Sequence, residues 1–296
     1  FRGSKFYYGS SFGVSLVMTN NSTEPLVVSD DGLFTGRIRI DAEITGDLNE
    51  KLPNLVSTKI QPASNIEPAR SLLVPLRLQT GKLRKILFAH PQASLEIEFT
   101  AYIDPVINDQ GQLLNRLADI QPAKIRIKRP AKKLNPRFLQ NQLSTITRGK
   151  QGQKTKIARL FAGLLTEQHI MAGTGPLYKF LYADWMPDLL KSALLQCLAD
   201  DDWVVKVNTM AAMLDLPIEY NMIDAVSKSL NDTHWPARMM AVYLLAKNQG
   251  TTFTKVLDYT AQYDTNELVR NMAIALGGVR PEPKEQTAPA IPPGNP

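Results

Sequence analysis

Apolar and polar residues alternate along much of the first 130 positions of this chain. Within 38–44 and 95–103, every second residue is apolar, and most residues between are polar or charged. Successive side chains of a β-strand point to opposite faces, so this pattern predicts strands with one buried and one solvated face. The predicted buried faces are Phe12, Val14, Leu16, Met18; Ile38, Ile40, Ala42, Ile44; Leu72, Val74, Leu76, Leu78; Leu95, Ile97, Phe99, Ala101, Ile103; and Ile125, Ile127.

Clusters of turn-forming residues separate these alternating segments, and most of the intervals contain no helical periodicity. About seven short strands in such an arrangement are typical of an antiparallel β-sandwich. Pro75 has no N–H to donate, so its strand is expected at an edge or a bulge. The segment 66–76 resembles the entry to a strand in bacterial immunoglobulin-like modules. That resemblance implies an Ig-like sandwich over residues 1–130.

A different pattern begins near residue 186, where an aspartate followed six positions later by a basic residue recurs every 32 residues. Self-similarity at a fixed period of this size indicates a stacked helical array. The first helix of each unit is predicted at 186–198, 218–230 and 252–262. The second begins just after each aspartate, which we expect to cap it. The recurring residues are Asp200, Asp232 and Asp264, with Lys206, Arg238 and Arg270.

This combination resembles HEAT repeats, in the short bacterial form found in phycobilin-lyase-type proteins. The resemblance implies a short α-solenoid of helix pairs, joined by an ion-pair ladder of Asp200, Lys206, Asp232, Arg238, Asp264 and Arg270. It also leaves chromophore handling open, on the repeat length alone. The amphipathic segment 154–171 lies outside the 32-residue register, as expected for an atypical terminal unit.

The fold class predicted is therefore all-β followed by all-α. The predicted domains are the sandwich (1–130), a basic linker (131–152), the solenoid (153–280) and a disordered tail (281–296), which contains six prolines.

The formal net charge of +6 is concentrated in one stretch. There is no acidic residue between Asp119 and Glu167, whereas 124–159 contains twelve basic residues. This stretch could dock on the acidic helical array, or contact an acidic protein, a nucleic acid or an anionic membrane surface. The candidate anion-binding residues are Arg148, Lys150, Lys154, Lys156 and Arg159.

Catalytic motifs are weak or absent. Residues 9–13 match G-x-S-x-G, but a strand pattern follows where a nucleophile elbow needs a helix, so a turn is expected. The single cysteine, Cys197, excludes an internal disulfide, and the three histidines lack ligand spacing. We therefore expect no cofactor, no metal and no enzymatic activity. The longest apolar run, eight residues at 239–246, is too short to span a membrane.

The function predicted from these patterns is that of a non-enzymatic scaffold or adaptor. Stacked helical repeats offer a curved surface suited to a protein partner. The alternative is a protein that binds an anionic partner through the basic segment 124–159.

Overall fold

The computed structural model describes residues 5–11, 13–32, 34–60, 65–117, 120–131, 135–174 and 186–280. Antiparallel sheets dominate the N-terminal part and helices the C-terminal part, which confirms the predicted order of β and α structure. The chain forms two compact units, Phe1–Ala193 and Leu194–Pro296.

The strands of the first unit pair antiparallel in three sheets. A four-stranded sheet has the order β3-β2-β5-β8, β1 pairs with β4, and β6 pairs with β7. In chain order they are β1 (Val14–Thr19), β2 (Arg37–Gly46), β3 (Glu50–Lys59), β4 (Ser71–Leu76), β5 (Leu95–Ile103), β6 (Pro105–Ile107), β7 (Leu113–Asn115) and β8 (Ala123–Arg129).

The predicted apolar faces form the core of this unit. Ile38, Ile40 and Ile44 of β2 are almost fully buried, and they belong to the same cluster as Met18 of β1 and Leu76 of β4. The four-stranded sheet and the β1–β4 sheet therefore share one core. Among the described strands, β4 pairs only with β1, which confirms the edge position expected from its proline. Phe12 lies outside the described residues.

Strand β3 was not among the predicted faces, because its apolar residues do not alternate. Its register with β2 shifts between Ile40 and Ala42. At this bulge Asn54 adopts a φ of 52°, and its N–H donates to Oδ1 of Asp41 at 2.8 Å. An irregularity of this kind interrupts the period of two on which the strand prediction depends.

Three helices complete the first unit: α1 (Gly81–Ala89), α2 (Pro136–Arg148) and α3 (Gln151–Thr174). The predicted linker at 131–152 is wrong, because most of it forms α2. Asn135 caps this helix by accepting from the N–H of Phe138, and Leu139 and Ile146 are buried. Residues 132–134 lie outside the described residues.

Helix α3 also belongs to the first unit, so the predicted start of the helical array at 153 is wrong. It packs against α1 and α2. Its buried Glu167 carboxylate accepts from the backbone N–H of Gln92 at 3.2 Å and from its side-chain amide at 3.0 Å. The amphipathic segment 154–171 therefore packs within the first unit, and the division of the chain falls after Ala193. The predicted tail at 281–296 lies outside the described residues.

The second unit consists of the predicted helix pairs, and α4 crosses the boundary between the units. The second helices α5, α7 and α9 begin at Trp203, Trp235 and Glu267, at the predicted stride of 32 residues. Helix α5 packs on α7, and α7 packs on α9. The helices are α4 (Met186–Leu198), α5 (Trp203–Ala212), α6 (Tyr220–Lys228), α7 (Trp235–Gln249), α8 (Thr254–Tyr263) and α9 (Glu267–Ala275).

Candidate functional site

Two ion pairs of the predicted ladder form between consecutive second helices. The Nζ atom of Lys206 on α5 lies 2.7 Å from Oδ2 of Asp232, just before α7. Arg238 on α7 donates through Nε and Nη2 to both carboxylate oxygens of Asp264, at 2.8 and 2.9 Å. The guanidinium group makes a two-bond contact that the lysine ammonium cannot reproduce. Each pair joins residues 26 positions apart, so it connects one unit to the next.

The prediction that Asp200, Asp232 and Asp264 cap the second helices is wrong. The N-cap positions are Asp202, His234 and Asn266, two residues later in each unit. Oδ1 of Asp232 and of Asp264 instead accepts the backbone N–H of that N-cap residue, at 2.9 and 2.8 Å. In Asp232 this local bond leaves the other oxygen, Oδ2, for Lys206, whereas Oδ1 of Asp264 also accepts from Nη2 of Arg238.

Both aspartates are partly removed from solvent, with 6% and 9% of their side chains exposed. Burial is the largest single effect and opposes ionisation of both carboxyls. The hydrogen bond from Lys206 or Arg238, the local backbone hydrogen bond and the charge of the cation together outweigh it. The pKa of each carboxyl is therefore below its ordinary value. The hydrogen bond to Asp264 also raises the pKa of Arg238. Both aspartates are consequently ionised at neutral pH.

Arg270 occupies the equivalent position on the last described helix. Its Nη1 donates to the carbonyl oxygen of Asp264 at 2.7 Å, as Nη1 of Arg238 does to that of Asp232 at 2.8 Å. Within the described part of the chain, however, no carboxylate pairs with Arg270. Asp200 repeats the local bond at the other end, accepting the N–H of Asp202 at 3.0 Å. The ladder thus has two complete ion pairs in residues 186–280.

The strand part of the basic segment is neutralised by its neighbour. On β8, Lys124 lies 3.1 Å from Glu98, Lys128 lies 2.8 Å from Glu96, and Arg126 also donates to Glu98. These residues share the solvated face of paired strands, as the alternation predicted. The contacts with Lys124 and Arg126 lower the pKa of Glu98.

Arg129 ends β8 but points into the protein, with 2% of the residue exposed. Its guanidinium donates to the carbonyl oxygens of Leu87 at 2.9 Å, His90 at 2.5 Å and Ala93 at 3.3 Å. Burial, together with the charge of Arg129, lowers the pKa of His90 to about 4, so this imidazole is neutral at pH 7.

The helical part of the basic segment carries the exposed cations. Arg148, Lys150 and Lys156 are solvent-exposed at the end of α2 and the beginning of α3. Among the described residues no carboxylate pairs with any of the three, and we call them the basic helical surface. Lys154 is half-buried beside them.

Arg159 differs from the other predicted anion-binding residues. It is half-buried, and its guanidinium carbon lies 5.0 Å from the ring centroid of Phe88 on α1. Arg84 of the same helix lies 5.6 Å from that centroid. The sequence analysis did not identify Arg84 or Phe88. The available signal was the spacing of Leu83, Ile86 and Leu87, which is that of one face of a helix.

Two other residues considered in the sequence, Cys197 and Trp203, lie in packed surroundings. Cys197 is fully buried, and the indole of Trp203 stacks on the imidazole of His234 with ring centroids 5.7 Å apart. Within the described ranges no group of three His, Cys, Asp or Glu residues is arranged to hold a metal ion. None of the described helices combines the length and apolar character needed to cross a membrane.

Comparisons with protein-family models, curated proteins and solved structures find no match for this chain.

Proposed function

We propose that this protein is a non-enzymatic scaffold that binds another protein through its helical repeats. In this proposal α4–α9 form a short solenoid of HEAT-like helix pairs, and the preceding strands form an Ig-like sandwich. The main support for this proposal is that two ion pairs, Lys206–Asp232 and Arg238–Asp264, connect consecutive units at equivalent positions. Helices connected in this way hold a surface in a defined shape, which reduces the entropy lost when a partner binds.

The surface proposed for this partner is on α8. Tyr259 and Tyr263 lie one turn apart with ring centroids at 5.0 Å, and they are 67% and 65% exposed. Tyrosine is enriched in protein interfaces, where it supplies apolar area and a hydroxyl at a low entropic cost. The pair therefore offers an anchor on a rigid support.

A quantitative affinity experiment with the full chain tests this proposal. The double variant Tyr259→Ser/Tyr263→Ser should bind a partner captured by the wild-type protein with an affinity at least about tenfold lower, because truncating central interface tyrosines is costly. Tyr7→Ser removes a similarly exposed tyrosine of the first unit (63%) and should retain the partner. Equal retention by both variants, or no stoichiometric partner, would contradict the proposal.

The basic helical surface supports a second candidate function, the binding of an anionic partner. The observation that favours it is the contrast within the segment: β8 pairs its cations with Glu96 and Glu98, whereas Arg148, Lys150 and Lys156 face solvent without a described carboxylate. Unpaired cations attract phosphate or sulfate groups over several ångströms, in a salt-dependent manner.

Two triple variants with the same net charge distinguish binding by the basic helical surface from a general effect of the protein's net charge. Arg148→Gln/Lys150→Gln/Lys156→Gln should elute from heparin at lower salt. For duplex DNA, the slope of the logarithm of the binding constant against the logarithm of the salt concentration should also become shallower by about 0.9 for each phosphate contact removed. Lys124→Gln/Arg126→Gln/Lys128→Gln changes the net charge equally but removes cations that are already paired. Equal behaviour of the two variants would exclude a specific role for the basic helical surface.

A further inference from the structure

A pocket of about 220 Å³ opens in the first unit where α1, the beginning of α3 and the segment 6–11 meet. Three arginines, two tyrosines and two serines contribute to its wall, and none of the residues that line it is acidic. We call it the Phe88 pocket. It is lined by Phe6, Tyr7, Tyr8, Gly9, Ser10, Ser11, Gln79, Arg84, Leu87, Phe88, Arg129 and Arg159.

The pocket brings together the positive charges of Arg84 and Arg159. Arg84 and Arg159 both lie over the ring of Phe88, and neither forms an ion pair within the described residues. Burial lowers the pKa of Arg159, and the charge of Arg84 lowers it further against the opposing effect of Tyr8. The third guanidinium, that of Arg129, donates to three backbone carbonyl oxygens, so the contact proposed below uses only Arg84 and Arg159. An anion between Arg84 and Arg159 would relieve this repulsion.

A tight turn that contains Ser10, next to Ser11, also contributes to the wall of the pocket. The N–H of Ser10 donates to the carbonyl oxygen of Tyr7 at 3.0 Å, and Gly9 inside the turn adopts a φ of 77°. Gln79 holds the turn in place by donating to the carbonyl oxygen of Ser10 at 2.8 Å. In the described structure the hydroxyls of Ser10 and Ser11 make no hydrogen bond, so they remain available to oxygen atoms of a ligand.

Tyr8 fixes the position of Arg159 relative to α1. Its hydroxyl lies 3.2 Å from the carbonyl oxygen of Phe88 and 3.0 Å from that of Arg159. Burial raises the pKa of Tyr8, so the hydroxyl stays neutral and can donate. The two arginines are thus held by separate helices that a buried side chain connects, which preorganises the pocket before a ligand binds.

From this arrangement we propose that the Phe88 pocket binds a small molecule through its phosphate group. Two guanidinium groups and adjacent hydroxyls match the several acceptor oxygens of a phosphate dianion, which accepts charge-assisted bonds from arginine forks. The volume is below that of a typical drug-sized site, so the organic part is small. Phe6, Leu87 and Phe88 supply the apolar part of the pocket wall. The site belongs to the first unit and does not depend on the scaffold proposal.

Isothermal titration of the full chain with inorganic phosphate and with phenyl phosphate tests this site, with NaCl of matched ionic strength as the reference. Saturable one-to-one binding is expected for both ligands, and tighter binding of phenyl phosphate if the Phe88 ring contacts the organic group. Arg84→Gln and Arg159→Gln should each weaken binding at least about tenfold, because each removes a charge-assisted contact. Arg84 is exposed, so its replacement leaves the fold intact even if that of Arg159 does not.

Two controls make the result decisive. Arg70→Gln removes an exposed arginine outside the pocket and should leave the affinity unchanged. The triple variant of the basic helical surface keeps the pocket and should also bind phosphate normally, which separates this inference from the anionic-partner function. A heat signal no larger than that of NaCl, or an affinity unaffected by Arg84→Gln, would overturn the proposal.

Discussion

Arg238→Ala is expected to lower the free energy of unfolding of the helical unit by about 3 kcal/mol. The substitution removes both bonds to Asp264 and the bond to the carbonyl oxygen of Asp232. It leaves the Asp264 carboxylate, only 9% exposed, without its cation. Removing one partner of a largely buried ion pair is far costlier than the net contribution of the pair, because the remaining charge stays desolvated. Urea unfolding followed by circular dichroism measures the loss.

Arg270→Ala provides the matched control. It deletes the same side chain at the equivalent position of the next unit, but within the described residues Arg270 has no carboxylate partner. We expect a loss of about 1 kcal/mol or less, from the bond to the Asp264 carbonyl. Arg238→Lys should fall between the two, since a lysine cannot contact both oxygens of Asp264. Similar losses for Arg238→Ala and Arg270→Ala would show that the ladder does not stabilise the stack.

The same variants have a characteristic pH dependence. The pKa of Asp264 is lowered in the folded protein, against an ordinary value of about 3.9 in the unfolded chain. The stabilisation is therefore complete above the unfolded pKa and disappears as the pH falls through the folded pKa. The difference between wild type and Arg238→Ala should be constant from pH 7 to pH 5 and should shrink below about pH 4. A constant difference down to pH 3 would contradict an ionic origin.

Gly163→Ala is expected to destabilise the first unit by about 1–2 kcal/mol, the cost of overpacking less the helix propensity gained from alanine. A Cβ at this position of α3 would lie 2.5 Å from the carbonyl oxygen of Phe88 and 2.5 Å from the hydroxyl of Tyr8. Neither atom can move freely, because the first belongs to the backbone of α1 and the second is held by two carbonyls. Overpacking of a tight contact costs about 1–3 kcal/mol, and the helix propensity gained from alanine offsets about 1 kcal/mol of this cost. Thermal and urea unfolding of the full chain measure the change.

Gly152→Ala in the same helix is the corresponding control. No atom lies within 4 Å of a Cβ built at this exposed position, so only the backbone propensity changes. We expect this variant to be unchanged or stabilised by up to about 1 kcal/mol. If Gly163→Ala were equally harmless, α1 and α3 would not be in close contact at this point. The preorganisation of the Phe88 pocket would then lose its structural basis.

The predictions that succeeded concern patterns within a single element or a fixed stride. The alternation of Ile38, Ile40 and Ile44 identified the buried face of β2, because side-chain direction in a strand follows from local geometry alone. The 32-residue recurrence located the starts of α5, α7 and α9, because equivalent residues meet equivalent neighbours in a repeat. The pairs Lys206–Asp232 and Arg238–Asp264 form as the resemblance to HEAT repeats implied.

The predictions that failed required knowledge of which element packs where. The amphipathic face of α3 shows that it buries one side, but periodicity does not identify the partner. In the structure α3 lies against α1, because Gly163 allows a close approach to Phe88 and Glu167 accepts from Gln92 just after α1. Likewise, Arg159 counts as one more cation in the sequence. Only the tertiary structure places it over Phe88 beside Arg84, 75 positions earlier.

The amino-acid sequence by itself determined the order of strands and helices, the buried face of most strands and the spacing of the ion pairs, because these depend on intrinsic backbone geometry and on a constant repeat. The tertiary structure alone decided that α2 and α3 complete the first unit, that the cations of β8 are paired, and that two arginines meet over an aromatic ring. Such contacts depend on long-range packing, which sets the burial and the neighbours of each charge and leaves no local periodic signature.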